Sequence, residues 1–77
     1  MPRVSSTRKK IDHRRIFLAR QERGISQEQL AREMRYATVT IGKYERGERN
    51  PSARALADLA KALDKTPAYF YAEEVAA

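Results

Sequence analysis

Four residues lie on the outer side of a helix that is predicted near the middle of the chain: Thr38, Val39, Gly42 and Lys43. Ile41 and Tyr44 recur at helical spacing and form the inner, apolar side of that helix. Threonine hydroxyls can hydrogen-bond to base edges, threonine and valine methyl groups can contact thymine methyl groups, and lysine can reach guanine acceptors or phosphate. This outer side therefore predicts contacts with DNA bases. For Gly42 two explanations stay open, a close approach to DNA or a close approach of another helix.

A second set of polar residues flanks this helix and suits the phosphate backbone of DNA. Arg46, Arg49 and Asn50 surround a turn at Gly47, directly after the helix. Gln27 opens the preceding helix, where free backbone N–H groups attract anions. We expect phosphate contacts at these positions, although Gln27 also fits a solvated helix end.

The stretch 26–47 predicts the two short helices that position these side chains. Ser26 is a good N-cap for a helix over about 27–34. A second helix starts near Ala37 or Thr38, runs to about Arg46 and ends at Gly47. Two short helices joined by a tight turn are typical of a helix-turn-helix, whose second helix enters the major groove of DNA.

Two longer helices flank this unit. Asp12 favours the start of a helix over about 12–23, and Gly24 ends it. Its inner side is predicted to contain Ile16, Ala19 and Arg23, with Phe17 or Arg20 alongside. Ser52 caps a fourth helix, with Pro51 just ahead of the cap. The core stripe of the fourth helix is predicted to be Leu56, Leu59, Ala60 and Leu63.

The carboxyl-terminal third predicts a fifth, short helix with an aromatic surface. Thr66 and Pro67 suit its N-cap and first helical position, and Tyr69, Phe70 and Tyr71 follow. Because aromatic residues are enriched in interface cores, these three positions are candidates for a dimer interface. The alternative is that Phe70 and one tyrosine only close the core.

The composition indicates one small basic domain. The chain has 77 residues, a net charge of +6 and 42% hydrophobic residues, too many for a disordered chain. Residues 1–24 hold eight basic and two acidic side chains, so the excess charge lies at the amino terminus and invites a polyanion. We expect residues 1–10 to form a flexible basic arm, residues 11–72 the helix-turn-helix domain and residues 73–77 a short tail. The arm can lie along phosphates or contact nothing.

Several chemistries have no candidate residues. The chain has no cysteine, no glycine-rich phosphate loop and one histidine, His13, which we expect to be an exposed side chain. The sequence therefore predicts no enzyme activity, no metal, no cofactor and no small-molecule substrate. The first ten residues lack the apolar segment of a secretory signal, and no apolar run reaches the length of a membrane span. We expect a cytoplasmic protein without a membrane partner.

The chain from about Ile16 to Tyr71 resembles the Cro/C1-type (XRE-like) helix-turn-helix family of phage and bacterial repressors. The matching segments are ERGISQEQLA, IGKYERGERNPS, LADLAKAL and TPAYFY. The resemblance implies an all-α fold, a compact five-helix bundle of the lambda-repressor type. It also implies a homodimer that binds double-stranded DNA at an inverted repeat, with the third helix reading bases.

The same resemblance assigns roles to single residues. It implies phosphate contacts for Gln27, Arg46 and Asn50, and it places Thr40 near the DNA backbone. The residues that it directs into the major groove of DNA are Thr38, Val39, Gly42 and Lys43. It also implies an ion pair between Arg20 and Glu45, which ties the first helix to the end of the third.

Two positions in the turn depart from the family pattern. Arg35 stands where the family has a glycine, so either this arginine adopts a left-handed conformation at a cost of about 1–2 kcal/mol or the turn differs. Ala37 stands where a Ser or Thr cap is usual, so Thr38 is an alternative cap. Capping by Thr38 would consume its hydroxyl and shift base contacts towards Val39 and Lys43.

The function predicted from these features is sequence-specific regulation of transcription by a homodimeric repressor. The alternative is an antitoxin or another protein-interaction module, because the same fold can bind a protein partner. Only residues 73–77 follow the fifth predicted helix, which is too little for a long toxin-binding extension.

Overall fold

The computed structural model describes residues 10–72, which form a helical bundle closed by a small strand pair. The predicted arm, apart from Lys10, and the predicted tail lie outside the described residues. In chain order the elements are β1 (Lys10–Ile11), α1 (His13–Arg23), α2 (Gln27–Met34), α3 (Thr38–Arg46), α4 (Ala53–Leu63), a 3-10 turn (Pro67–Phe70) and β2 (Tyr71–Ala72).

Local capping explains where the helices begin and end. The Asp12 side chain accepts a hydrogen bond from the N–H of Arg14, and the Ser52 side chain accepts one from the N–H of Ala55. Ser26 forms a reciprocal capping box with Gln29, which satisfies two backbone N–H groups at the start of α2. The four predicted helices up to residue 63 therefore have the expected bounds.

The core lies where α1, α2, α3 and α4 meet. Its largest fully buried side chains are Phe70, Ile16, Leu30, Ile41, Leu59 and Leu63. The predicted stripe of α4 is buried throughout. On α1 the prediction holds for Ile16, Ala19 and Arg20, which are buried, and is wrong for Arg23; of the two residues predicted alongside, Phe17 is exposed. Arg23 lies at the surface, where it donates to Glu33 Oε1 at 2.9 Å and to the carbonyl oxygen of Ala62 at 2.6 Å.

The end of the domain corrects the prediction of a five-helix bundle. Four α-helices are present in residues 10–72, and the fifth segment is one turn of 3-10 helix. Thr66 makes no capping hydrogen bond with its side chain. Tyr71 instead extends into β2, which pairs antiparallel with β1 and places Ile11 opposite it. Lys10, assigned by sequence to the arm, pairs with Ala72 in this sheet.

An arginine on α1 fastens this closing segment to the bundle. Arg15 Nη1 donates to the carbonyl oxygens of Tyr69 at 2.9 Å and Tyr71 at 3.2 Å. The N–H of Asp12 donates to the carbonyl oxygen of Phe70 at 2.7 Å. These contacts join residues more than fifty positions apart, so local sequence rules do not predict them.

Candidate nucleic-acid interface

The turn between α2 and α3 contains a strained arginine. Arg35 has φ 63° and ψ 41°, which is the left-handed conformation that glycine adopts easily. Its N–H donates to the carbonyl oxygen of Arg32 at 3.2 Å, and the N–H of Tyr36 donates to that of Ala31 at 2.8 Å. These two hydrogen bonds cap the carboxyl end of α2 in the same way as a glycine at this position would. Arg35 thus takes the place of the glycine expected there, and its left-handed backbone costs about 1–2 kcal/mol.

The start of α3 has no side-chain cap. Ala37 is the N-cap residue and makes no such hydrogen bond, so the helix begins at Thr38. Thr38 therefore does not act as the cap, and its hydroxyl is not consumed there. The alternative cap considered from the sequence is wrong.

The outer side of α3 is exposed at three of the four positions predicted to read bases. Thr38, Val39 and Lys43 are exposed, and 64% of the Val39 surface is accessible. Gly42, by contrast, is buried. A Cβ on Gly42 would lie 3.0 Å from Arg46 Nη1 and 3.5 Å from Gln27 Oε1. The expectation that Gly42 is open on this side is wrong, because the side chains of Gln27 and Arg46 cover it.

A buried ion pair fixes α3 against the other helices. Arg20 Nε donates to Glu45 Oε2 at 2.6 Å and Arg20 Nη2 donates to Glu45 Oε1 at 3.1 Å. Only 8% and 5% of the two side chains are exposed. Arg20 Nη1 also donates to the carbonyl oxygen of Ile25 at 2.8 Å. The pair expected between Arg20 and Glu45 is present in the structure and connects α1 with the end of α3.

Gln27 belongs to this network. Its Nε2 donates to Glu45 Oε1 at 3.0 Å, so the amide links the start of α2 to the end of α3. The side chain is partly buried and is not directed freely into solvent. The backbone N–H groups in the first turn of α2 remain the anion-attracting feature of this end of the helix.

The loop after α3 carries the remaining candidates for phosphate contacts. Gly47, with φ 77°, ends the helix, and Arg49 and Asn50 are exposed beyond it. Arg46 is also exposed, but its guanidinium pairs with Glu48 at 2.7 Å. Thr40 is half-buried on the side of α3 away from Gly42. The structure thus brings Arg46, Arg49 and Asn50 together at one end of α3.

His13 is not the exposed side chain that the sequence predicts. It is half-buried, and its Nδ1 donates to the carbonyl oxygen of Tyr44 at 2.9 Å. Its ring would lie 3.0 Å from a Cβ on Gly47. Glycine at position 47 therefore serves both the left-handed cap and the close approach of this ring. Nothing in the local sequence indicates this contact over 31 positions.

Tyr36 anchors the turn to α4 and was also missed by sequence reasoning. Its hydroxyl donates to Asp58 Oδ2 at 2.9 Å. Burial raises the pKa of Tyr36, and the hydrogen bond and negative charge of Asp58 raise it further. Its ring meets that of Tyr44 edge to face, with centroids 6.5 Å apart. The hydrogen bond between Tyr36 and Asp58 thus fastens the turn between α2 and α3 to α4.

The three aromatic residues at the carboxyl end have different surroundings. Phe70 is fully buried, so it closes the core and presents no surface to a partner. Tyr69 and Tyr71 are half-buried. The Tyr69 ring lies 4.8 Å from Lys65 Nζ and meets the Phe70 ring edge to face. The prediction of an interface position is therefore corrected for Phe70 and stays a prediction for the two tyrosines.

Residues 10–72 contain neither a metal-binding cluster nor a membrane-spanning helix. Within residues 10–72, no group of three or more acidic, histidine or cysteine residues is arranged to hold a metal ion. No helix in the same part of the chain combines the length and apolar character that a membrane crossing requires.

Comparisons with known proteins agree with this geometry. Residues 16–70 match the family model described as helix-turn-helix. None of the curated protein sequences matches the chain. The crystal structure of the P22 c2 repressor in complex with a synthetic operator matches with 31% identity and a TM-score of 0.74, over 79% of this chain and 92% of that chain.

Two further structures match at a similar level. The solution structure of the DNA-binding domain of the P22 c2 repressor has 30% identity and a TM-score of 0.75, covering 82% of this chain and 83% of that one. The restriction-modification controller protein C.AhdI from Aeromonas hydrophila has 36% identity and a TM-score of 0.72, covering 75% and 88%. The turn, the four helices and the family match agree, and the chain belongs to the Cro/C1-type (XRE-like) helix-turn-helix family.

Proposed function

We propose that this protein is a sequence-specific transcriptional repressor that binds an inverted-repeat operator as a homodimer. The observation that carries the proposal is the outer side of α3, where Thr38, Val39 and Lys43 are exposed on a helix fixed by the buried pair of Arg20 and Glu45. A rigid helix with exposed hydrogen-bonding and methyl groups suits direct contacts with bases in the major groove. The similar P22 c2 repressor is bound to operator DNA in its crystal structure.

Phosphate contacts are proposed for the groups that flank this helix. Arg46, Arg49 and Asn50 lie at its carboxyl end, while the first turn of α2 offers backbone N–H groups beside Gln27. Thr40 adds a hydroxyl at the edge of the helix. Such contacts fix the position of the helix on the duplex and carry no sequence information.

The dimer is proposed to form through the carboxyl-terminal segment. Tyr69 and Tyr71 are half-buried there and offer partly exposed aromatic surface. Aromatic residues are common in interface cores. Sedimentation of the wild type and of Tyr69→Ala at equal concentration tests this assignment, because the variant is expected to shift towards monomer. An unchanged mass would place the interface elsewhere.

The function is tested by selecting bound duplexes from a random pool at two salt concentrations. We expect enrichment of an inverted repeat with half-sites about one helical turn (~34 Å) apart. Salt-sensitive binding without enrichment would show that attraction between basic side chains and phosphates accounts for the affinity, and that α3 contributes little recognition of base sequence. Absence of binding at both concentrations would contradict the proposal and favour a protein partner.

Two variants separate base contacts from backbone contacts. Lys43→Ala is expected to reduce discrimination between the selected duplex and a scrambled one, since it removes a base-reaching group. Arg46→Ala is expected to weaken binding to both duplexes by a similar factor. Equal loss of discrimination in the two variants would contradict this division of roles.

A further inference from the structure

Two of the three nitrogens of the Arg46 guanidinium are bound to another side chain of the protein. Nε donates to Glu48 Oε2 at 2.7 Å, and Nη2 donates to Glu48 Oε1 at 3.2 Å. Nη1 lies over α3, 3.0 Å from the position that a Cβ on Gly42 would take. The absence of a side chain at Gly42 leaves room for this arrangement.

Glu48 occupies the edge formed by Nε and Nη2, one of the two edges with which an arginine can bind a phosphate through two hydrogen bonds. Carboxylate and phosphodiester groups both present two oxygen atoms that match a pair of parallel guanidinium N–H groups. One edge cannot hold both anions at the same time. In the free protein, the residue proposed to bind the DNA backbone is therefore already bound to an internal anion.

The backbone holds Glu48 in this position. The left-handed conformation of Gly47 turns the chain back towards α3, and the N–H of Glu48 donates to the carbonyl oxygen of Lys43 at 2.9 Å. The hydrogen bonds from Arg46 lower the pKa of the Glu48 carboxyl, and the charges of Arg46 and Lys43 lower it further. Glu48 is thus an ionised group beside two cations of the proposed DNA surface.

We infer that Glu48 is an internal competitor of DNA phosphate: it occupies Arg46 in the free protein and is exchanged for a phosphodiester when DNA binds. The inference rests on the proposed function and adds a residue that sets the affinity. Both side chains are about half exposed, 54% for Arg46 and 51% for Glu48, so a phosphate can reach the pair. Since the exchange concerns a backbone contact, it lowers the affinity for duplexes of every sequence.

The test compares Glu48→Gln with a charge-matched control, Glu33→Gln. Glu33 also pairs with an arginine, Arg23 at 2.9 Å, and is similarly exposed at 44%. Both substitutions remove one negative charge, but Glu33 lies on α2 and does not contact Arg46. Dissociation constants are measured by fluorescence anisotropy with a labelled duplex of mixed sequence. We expect Glu48→Gln to bind about two- to fivefold more tightly than wild type, and Glu33→Gln to change the affinity less.

A double variant separates competition from simple repulsion of DNA by a negative charge. In an Arg46→Ala background, the gain from Glu48→Gln should fall to the level of the Glu33→Gln control. An equal gain with and without Arg46 would overturn the inference and leave only repulsion. Equal affinities of wild type and Glu48→Gln would also overturn it, while binding by the wild type would leave the proposed function intact.

The salt dependence tests the exchange itself. If a phosphate replaces Glu48, wild type and Glu48→Gln make the same number of phosphate contacts, so log Kd against log salt has equal slopes. A slope steeper by about 0.9 for Glu48→Gln would show that Arg46 stays with Glu48 in the wild-type complex, and would overturn the exchange. Absence of binding by both proteins would overturn the inference together with the proposed function.

Discussion

Substitution of Glu45 by alanine should be among the most destabilising changes outside the apolar core. The side chain is 5% exposed and accepts hydrogen bonds from Arg20 and from Gln27. Its removal leaves the Arg20 guanidinium, itself 8% exposed, with the carbonyl oxygen of Ile25 as its one remaining hydrogen-bond partner among residues 10–72. An uncompensated buried charge of this kind costs about 3–5 kcal/mol.

This loss is large in relation to the whole domain. Typical stabilities of roughly 0.05–0.15 kcal/mol per residue give about 4–12 kcal/mol for a chain of 77 residues. At about 4–8 °C per kcal/mol, the melting temperature should fall by at least about 12 °C. Urea denaturation followed by far-ultraviolet circular dichroism measures the free energy of unfolding directly.

Two further variants test the reasoning behind this magnitude. Glu33→Ala breaks the exposed pair with Arg23 and should cost less than about 1 kcal/mol. Replacing both Arg20 and Glu45 by methionine should restore much of the loss, because apolar residues of similar volume can replace a buried pair. A cost below about 1 kcal/mol for Glu45→Ala would refute the argument. A methionine double variant that loses as much stability as Arg20→Met and Glu45→Met together would also refute it.

Three other changes probe the same helices by the same denaturation assay. Gly42→Ala should stabilise the protein by about 0.5–1 kcal/mol, since alanine favours the helix and the nearest atom belongs to the flexible end of Arg46. Arg35→Gly should be stabilising by up to about 1 kcal/mol, since the removed strain of about 1–2 kcal/mol exceeds the extra entropy of about 0.5–1 kcal/mol that glycine loses on folding. Tyr36→Phe should cost about 0.5–1.5 kcal/mol at neutral pH by removing the hydrogen bond to Asp58. Because the pKa of Tyr36 is raised in the folded protein, the stability of the wild type should decline as the pH rises above the pKa of an unfolded tyrosine, and Tyr36→Phe should weaken that decline.

Each of these changes has an opposite outcome that would count against its reasoning. Destabilisation by Gly42→Ala would mean that Arg46 or Gln27 cannot yield to the added methyl group. Loss of stability in Arg35→Gly would mean that the arginine side chain stabilises the turn more than its backbone strain costs. An alkaline decline of the same size in wild type and Tyr36→Phe would show that this hydroxyl does not cause it.

Much of the helical framework was predictable because its signals are local. Ser26 and Ser52 accept hydrogen bonds from residues three positions ahead, and Gly24 and Gly47 end their helices through their own backbone conformation. The apolar stripe of α4 follows from the helical repeat alone. The pair of Arg20 and Glu45 was expected only from the family resemblance, since 25 positions separate the two residues.

Long-range packing decided what local signals could not. The segment 67–72 ends as a 3-10 turn and a strand, not a fifth helix, because Tyr71 can pair with Ile11 and Arg15 binds the carbonyl oxygens of this segment. Gly42 lies on the outer side by helical position, yet the side chains of Gln27 and Arg46 cover it. Local sequence signals thus predicted the four α-helices and most of their inner faces, but not the closing segment. Which outer faces stay open depends on tertiary packing, because side chains that are distant in the chain, or long enough to fold back over a neighbour, can cover them.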